Sequence, residues 1–243
     1  MLGALVFFAG IVDALAGGGG LITLPAFLAA GLEPSLLLGT NKLCMTIGTS
    51  VSTVRYARSL RFALKPFLPV IATSLLGSYL GARLALLLDP SYLRWLLLAA
   101  LPVVGYAVFS SKDFGRRDES ARYSSRELTL RQAAIAFPIG AYDGFFGPGT
   151  GTFFALAFCR FCGFSLLEAT GRSKALNLAS NAAALVAFVA AGRLDVRLGL
   201  SMGVLSVVGN FIGANLGVKR GAAVIRPAVL CVCAGLFLKL AFG

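Results

Sequence analysis

The chain has 243 residues, of which 58% are hydrophobic and only 13% are charged. Soluble domains carry about 25% charged residues, so this composition indicates a multi-pass membrane protein with no room for a catalytic domain outside the membrane. At about 20 residues per spanning helix, the length accommodates roughly eight hydrophobic segments with short loops. The net charge of +12 comes largely from loop residues, which set topology and contact anionic lipid headgroups, so nucleic acid is not the predicted partner.

The first hydrophobic segment, Leu2 to Gly31, is interrupted by four consecutive glycines, Gly17 to Gly20. Each glycine destabilises a helix by roughly 1 kcal/mol relative to alanine. The helix is therefore predicted to stop and restart, leaving arms of about 15 and 11 residues. Neither arm is long enough to cross a ~30 Å hydrocarbon core. Unwound backbone in a membrane is tolerated where it is buried in protein or lines a polar cavity, so the break points to a transport site.

Three further segments complete the first half of the chain: Ser35 to Ala57, Pro66 to Leu88, and Tyr92 to Ser110. The third segment carries Gly77 and Gly81, a pair of small residues four apart that lets another helix approach closely.

The second half repeats the first. A second glycine-rich break follows Asp143, which matches Asp13 at an offset of 130, and the motif ending at Lys42 matches the motif ending at Lys174 at an offset of 132. A constant register over a long stretch indicates duplication. We predict an all-α polytopic membrane protein with repeat one at 1–111, a hydrophilic linker at 112–132 and repeat two at 133–243, each repeat having four hydrophobic segments.

The orientation of the two repeats depends on the broken segments. If each crosses the membrane once, the chain has eight spans and the repeats are parallel; if each is a re-entrant hairpin, the repeats are inverted. Cytoplasmic loops collect Lys and Arg, and the hairpin topology places 16 of the 22 basic residues on one side, against 13 in the eight-span topology. This count favours inverted repeats.

Four ionisable residues lie inside apolar segments at matched positions: Asp13, Asp143, Lys42 and Lys174. A charge at bilayer depth costs at least ~2.5 kcal/mol, and such residues usually face a cavity on a transport pathway. Two structural alternatives remain open. The aspartates would cap the helices that restart after the glycines, and the lysines would extend to the lipid headgroups.

An anion site fits these residues better than a cation site. The helices that restart near Leu21 and Gly151 present free N–H groups and positive dipole ends, and two lysines add full charge. The predicted substrate-binding residues are Lys42, Lys174, Asn41, Ser173, Asn177, Asn181, Gly18, Gly19, Gly20, Gly149, Thr150 and Gly151. Asp13 and Asp143 are candidates for proton coupling, with salt-bridged structural acids as the alternative.

Histidine is absent, and the five cysteines contain a single CxxC, Cys159 to Cys162. Structural zinc needs about four ligands, so the cysteines are interpreted as small core residues. We predict no metal site, no cofactor and no enzymatic activity. A membrane-embedded enzyme would need a nucleophile with a base or a metal centre, and the chain has no histidine and carries acids in the half-helix segments only at Asp13 and Asp143.

At these residues the sequence resembles the TauE/SafE family of sulfite-exporter-like membrane proteins. The resemblance covers nearly the whole chain and is carried by Asp13 to Pro25, Gly39-Thr-Asn-Lys42-Leu, Tyr142 to Thr152, and Lys174-Ala-Leu-Asn177-Leu-Ala-Ser-Asn181. It implies a secondary transporter or exporter of a small anion, sulfite or an organosulfonate, in the inner or plasma membrane. The alternative functions are an anion channel and a structural membrane protein without transport activity.

Overall fold

The computed structural model describes residues 1–60, 65–89, 115, 117–221, 223–225 and 227–228. Within these residues the regular secondary structure is entirely helical, as predicted. The predicted segment Tyr92 to Ser110 and most of the last segment of the chain lie outside them. The α-helices are α1 (Leu2–Ala16), α2 (Gly19–Ala29), α3 (Pro34–Leu60), α4 (Leu68–Ala85), α5 (Ser125–Phe145), α6 (Thr150–Cys162), α7 (Leu166–Ala190) and α8 (Val196–Arg220).

Both predicted helix breaks are present. The first separates α1, of 15 residues, from α2, of 11 residues, which are the predicted arm lengths. Gly17 ends α1 with φ 69°, and Gly147 and Gly149 have φ 100° and 81° in the second break. These left-handed backbone conformations strain any residue with a Cβ, which is why both breaks are built from glycine.

At each break the chain turns back on itself. Arg131, in the second turn of α5, donates a hydrogen bond of 3.0 Å to the carbonyl of Phe161, near the end of α6. In the first half, a Cβ at Gly19 of α2 would lie 3.1 Å from the carbonyl oxygen of Ala9, in the middle of α1. The chain therefore folds back at each break, and each pair of helices is a hairpin.

α5 begins inside the predicted linker 112–132. Ser124 accepts a hydrogen bond from the backbone N–H of Glu127, and Arg131 forms an ion pair of 2.9 Å with the Glu127 side chain. Such an N-terminal cap and a pair four residues apart each stabilise a helix. The helix therefore extends into polar sequence that hydropathy alone assigns to the linker.

The helices α3 and α7, which carry Lys42 and Lys174, pack side by side in opposite directions. The N–H of Asp195, just after α7, donates a 2.8 Å hydrogen bond to Thr40 near the start of α3. Farther along α3, Thr53 donates a 3.0 Å hydrogen bond to the carbonyl of Lys174 in the first half of α7. The end of each helix thus lies beside the start of the other.

Glycines bring α4 against α5 and α8 against α1. A Cβ added to Gly77 or Gly81 would collide with backbone carbonyls of α5. One added to Gly209 or Gly213, the glycines at an offset of 132, would collide with carbonyls of α1. The predicted close helix approach at Gly77 and Gly81 is therefore confirmed, and it has a counterpart in the second half.

The outer surface of the bundle is apolar. Among the described residues, three helical segments are long and apolar enough to cross a membrane: 65–85, Leu166–Ala190 and Val196–Arg220. Large apolar side chains on α4 and α8 face outward, including Leu76 at 55% exposed and Val204 at 64%. A surface of this kind suits lipid, not water.

The contact between the two breaks gives a stability prediction. A Cβ at Gly151 would lie 2.5 Å from the Cα of Gly17, whereas a Cβ at Gly20 would have its nearest neighbour 3.7 Å away. Overpacking of this kind costs typically 1–3 kcal/mol, so Gly151→Ala should lower the melting temperature of the detergent-purified protein by several degrees. Gly20→Ala, in the same region, is the matched control and should melt within about a degree of wild type. Equal melting temperatures for the two variants would contradict the close approach.

Candidate functional site

The two helix breaks meet in the interior. Gly17 of the first break lies directly against Gly151 at the start of α6, and Gly20 lies beside Pro148 of the second break. Four buried charged residues surround this contact: Asp13 and Asp143, one turn before each break, and the two lysines of α3 and α7.

Lys42 forms an ion pair across the two halves of the chain. Its Nζ lies 3.0 Å from Asp143 Oδ1 and donates a hydrogen bond of the same length to Asn181 Oδ1. Ser180 donates a hydrogen bond to the other carboxylate oxygen, Asp143 Oδ2. The ammonium and the carboxylate are therefore both neutralised by partners inside the protein, at 2% side-chain exposure each.

Lys174, in the second half of the chain, forms the second ion pair, with Asp13 of the first half. Its Nζ lies 3.2 Å from Asp13 Oδ2, and Thr49 donates a 3.0 Å hydrogen bond to the same oxygen. Lys174 also donates to the backbone carbonyl of Asp13, which accepts the N–H of Gly17 at the end of α1. A cation at a helix C-terminus is favourable, so Lys174 stabilises the end of α1 as well as the carboxylate.

Of the structural alternatives for these charges, helix capping and extension to the headgroups do not describe the structure, whereas salt-bridged acids do. Lys174 is fully buried and Lys42 is 2% exposed, so neither lysine extends to the headgroups. The N-cap residues of α2 and α6 are Gly18 and Gly149, and neither helix start has a side-chain cap hydrogen bond. The aspartates bind lysine instead, because a buried unpaired ammonium would be far more costly than an uncapped helix start.

A small cavity of about 10 Å³ lies among these residues. This volume is roughly the space of one water molecule. Seven of the predicted site residues line it: Asp13, Gly20, Asn41, Lys42, Asp143, Asn177 and Asn181. Three others were not predicted: Gly17, Met45 and Gly147.

The other predicted site residues are described by the structure but lie outside this lining. Gly18 and Gly149 are the N-caps of α2 and α6. A Cβ at Gly19 would touch Asp13, and Gly151 packs against Gly17. Thr150 donates to the Gly147 carbonyl, Ser173 donates to the Thr170 carbonyl, and Lys174 reaches Asp13.

Sequence reasoning missed the hydroxyls of Thr49 and Ser180. Each donates to one of the buried carboxylates. Both lie about two helical turns after the lysine of their own helix, so this spacing from the lysine could have identified them. Ser and Thr in apolar helices commonly bond to a carbonyl one turn earlier, and this obscures the few that bind a distant partner.

The two halves of the site are chemically different. Under the offset of 132, Met45 of α3 corresponds to Asn177 of α7, and Thr49 corresponds to Asn181. Two of the three asparagines that line the cavity, Asn177 and Asn181, therefore come from α7, and Asn181 accepts a hydrogen bond from Lys42. Among the described residues, no group of three or more metal-ligating side chains is present, and Cys44, Cys159 and Cys162 are buried.

Broken helices that meet beside buried, oppositely charged residues are the arrangement of secondary membrane transporters. The family described as "Sulfite exporter TauE/SafE" matches residues 2–240. The chain belongs to this family of membrane transporters. It is a multi-pass protein of the bacterial inner membrane.

Curated relatives agree with this assignment. The chain is 38% identical to "Probable membrane transporter protein ORF9" of Sinorhizobium sp, over 96% of the chain and 88% of that protein. It is 35% identical to "Probable membrane transporter protein YfcA" of Escherichia coli (strain K12), over 100% of the chain and 90% of that protein. A "Probable membrane transporter protein" of Haemophilus influenzae is 34% identical over 97% of the chain. No solved structure matches the chain.

The Lys42–Asp143 pair gives a prediction for stability. Removing one partner of a buried ion pair costs about 3–5 kcal/mol, whereas replacing both is often close to neutral. We expect Lys42→Met and Asp143→Asn each to lower the melting temperature strongly, and the double variant to recover most of the loss. Thermal unfolding in detergent measures this.

The control pair is Arg131 with Glu127, whose side chains are 40% and 45% exposed and 2.9 Å apart. Exposed pairs contribute about 0–1 kcal/mol, so Glu127→Gln, which leaves the hydrogen bond from Arg131 to the Phe161 carbonyl in place, should change the melting temperature little. If losses at Lys42 and Asp143 simply add in the double variant, the two side chains do not depend on each other.

Proposed function

We propose that the protein transports a small oxyanion, sulfite or an organosulfonate, and that the cavity at the helix breaks is its substrate site. The observation that carries this proposal is Lys42, whose buried ammonium lines the cavity beside the amides of Asn177 and Asn181. Two helix starts, at Gly19 and Thr150, add positive dipole ends at the same place. Ammonium, amide N–H groups and helix N-termini together favour an anion.

The lysine charge is balanced by Asp143, so a substrate anion competes with this carboxylate for Lys42. Two anions within hydrogen-bond distance of one ammonium repel each other, and a proton on Asp143 removes the repulsion. Anion binding at Lys42 is thereby linked to protonation of Asp143. Asp13 is held by Lys174 and Thr49, and it acts as the second candidate for proton coupling.

Entry of an oxyanion requires movement at the breaks, because the cavity has space for about one water. The hairpins are suited to this movement, since the backbone at Gly17, Gly147 and Gly149 lies outside regular helix. A cavity this small favours a transporter that exposes its site alternately to the two sides over a channel with a continuous pore.

We also propose that the chain consists of two inverted repeats. Three observations support this: each break is a hairpin, the matched helices α3 and α7 run in opposite directions, and both ion pairs join one half to the other. If α3 and α7 both span the membrane, their starts lie on opposite sides. The inversion provides two related arrangements for alternating access.

The inverted topology predicts which side of the membrane each helix end faces. Single cysteines at Leu60, the end of α3, and at Leu194, just after α7, should label from opposite sides of the inner membrane with an impermeant maleimide in a variant without the native cysteines. The basic cluster near Arg55 and Arg58 predicts a cytoplasmic Leu60. Labelling of both positions from the same side would mean parallel repeats.

The transport proposal predicts distinct effects of the two lysines. In proteoliposomes loaded with labelled sulfite or small sulfonates, Lys42→Gln should lower transport at least tenfold, because the anion loses its cationic ligand. Lys174→Gln should impair transport through the fold, since Lys174 holds the end of α1. Both variants should melt below wild type, because each removes one partner of a buried ion pair, so transport is compared per folded protein. Lys219→Gln, which removes an exposed lysine at the end of α8, is the control and should transport as wild type does.

The same proteoliposomes test coupling. An imposed pH gradient should drive accumulation of substrate in wild type, while Asp143→Asn should exchange substrate without responding to the gradient. Asp13→Asn, measured in the same way, shows whether Asp13 contributes to proton coupling as well. Gradient-driven accumulation in both Asn variants would remove the aspartates from the coupling mechanism, and unchanged transport in Lys42→Gln would remove the cavity as the substrate site.

A further inference from the structure

The cavity at the helix breaks has one apolar side chain in its lining. Of the ten described residues that line it, three are glycines, six carry polar or charged side chains, and the remaining one is Met45. The thioether of methionine has no hydrogen to donate and is only a weak acceptor. One wall of this cavity therefore offers no hydrogen-bond donor to a bound ion.

Met45 has a fixed place beside Lys42. It follows Lys42 by three residues and Asn41 by four within α3, so the three side chains lie on one face of the helix. Met45 is 3% exposed and belongs to a buried apolar cluster with Leu24 and Phe27 of α2. Because α3 is a continuous helix through this stretch, movement at the breaks leaves the relative positions of Met45 and Lys42 unchanged.

The asparagines of the lining present amide nitrogens. Lys42 donates a 3.0 Å hydrogen bond to Asn181 Oδ1, and an ammonium has donors only, so this bond assigns the amide oxygen and leaves Nδ2 as a donor. Thr23 donates to Asn41 Oδ1 in the same manner. A Cβ at Gly20 would lie 3.7 Å from Asn41 Nδ2, so this nitrogen lies at the first break. Together with the ammonium of Lys42, the two amides supply hydrogen bonds for several oxygens of one anion.

Small oxyanions differ at the vertex opposite three of their oxygens. Sulfite carries a lone pair there and a sulfonate carries carbon, whereas sulfate and phosphate carry a fourth oxygen. An oxygen held against Met45 would lose its water and gain no donor, which is unfavourable. A lone pair or a methyl group has little hydrogen bonding to lose at the same wall, and methionine packs well against apolar groups.

We propose that Met45 determines the specificity of this cavity, an inference that rests on the proposed transport of oxyanions. Three oxygens of the anion bind Lys42 and the amides, and the fourth vertex lies against Met45. The cavity then admits sulfite and small sulfonates and rejects sulfate and phosphate. The residue of α7 that matches Met45 is Asn177, so an amide is accommodated at the same point of the other half.

Competition in proteoliposomes tests this selectivity. Uptake of labelled sulfite is measured against unlabelled sulfite, methanesulfonate and sulfate at mildly alkaline pH, where sulfite and sulfate both carry two charges. Sulfite thus matches sulfate in charge, and methanesulfonate matches it in tetrahedral outline. In wild type, half-inhibition should need at least tenfold more sulfate than either of the other two anions, because a buried oxygen without a donor weakens binding by about that factor or more.

Substitutions at Met45 should change this ratio. Met45→Gln gives the wall an amide donor at nearly the same side-chain length and should lower the half-inhibiting concentration of sulfate at least tenfold relative to that of methanesulfonate. Met45→Asn, which copies Asn177, should do the same. Met45→Leu keeps an apolar wall and should keep the preference against sulfate. The matched control is Met202→Gln, which adds the same amide to α8 beside the same apolar cluster and should leave the ratio as in wild type.

The ratio isolates specificity, because a loss of packing at Met45 would lower stability and uptake without changing it. Equal inhibition by sulfate and methanesulfonate in wild type would overturn the inference, and so would a preference that survives the amide substitutions or is lost in Met45→Leu. If Met45→Gln is not monodisperse, Met45→Asn carries the test. These outcomes leave the transport proposal standing, whereas absence of sulfite and methanesulfonate uptake by wild type would overturn both.

Discussion

Charge and unwound backbone inside an apolar bundle must find their partners within the protein, and the rest of this structure depends on that constraint. Lys42 is 2% exposed and Lys174 is fully buried. Each lysine therefore pairs with an aspartate of the other half of the chain, and the pairing locks α3 and α7 to the opposite helix break. A buried pair contributes little net stability over an apolar core, but removal of one partner is severe. These pairs thus specify one mutual arrangement of the two halves.

Glycine makes that arrangement sterically possible. At the centre, Gly17 and Gly151 bring two backbones into contact, and Gly77, Gly81, Gly209 and Gly213 do the same between full-length helices. In a membrane the helices gain no hydrophobic free energy from association, so close packing of small residues carries much of the stabilisation. Close packing also confines motion, because tightly packed interfaces switch between discrete arrangements more readily than they deform. The irregular backbone at the breaks is the natural place for such a switch.

The two ion pairs have diverged in chemistry although they occupy matched positions. Lys174 binds both the carboxylate and the backbone carbonyl of Asp13, so it holds a helix end in place. Lys42 binds side chains only, Asp143 and Asn181, and it lines the cavity. A ligand that displaces side chains disturbs less structure than one that displaces a helix cap. The Lys42 pair is accordingly the better suited of the two to exchange partners during a transport cycle.

The sequence by itself determined the local features: where the helices break, the lengths of the arms, which glycines permit close approach and which four charges lie inside apolar segments. These follow from backbone entropy, the missing Cβ and the cost of a charge in hydrocarbon, all of which act on a residue and its neighbours. It did not place the start of α5, where capping by Ser124 outweighed a polar composition. Only the tertiary structure decided that each broken segment folds back as a hairpin and that Lys42 pairs with an aspartate 101 positions away. The tertiary structure also decided that Thr49 and Ser180 donate to the two buried carboxylates. Contacts across the bundle depend on the direction and packing of the helices, and the spacing of residues along the chain does not encode these.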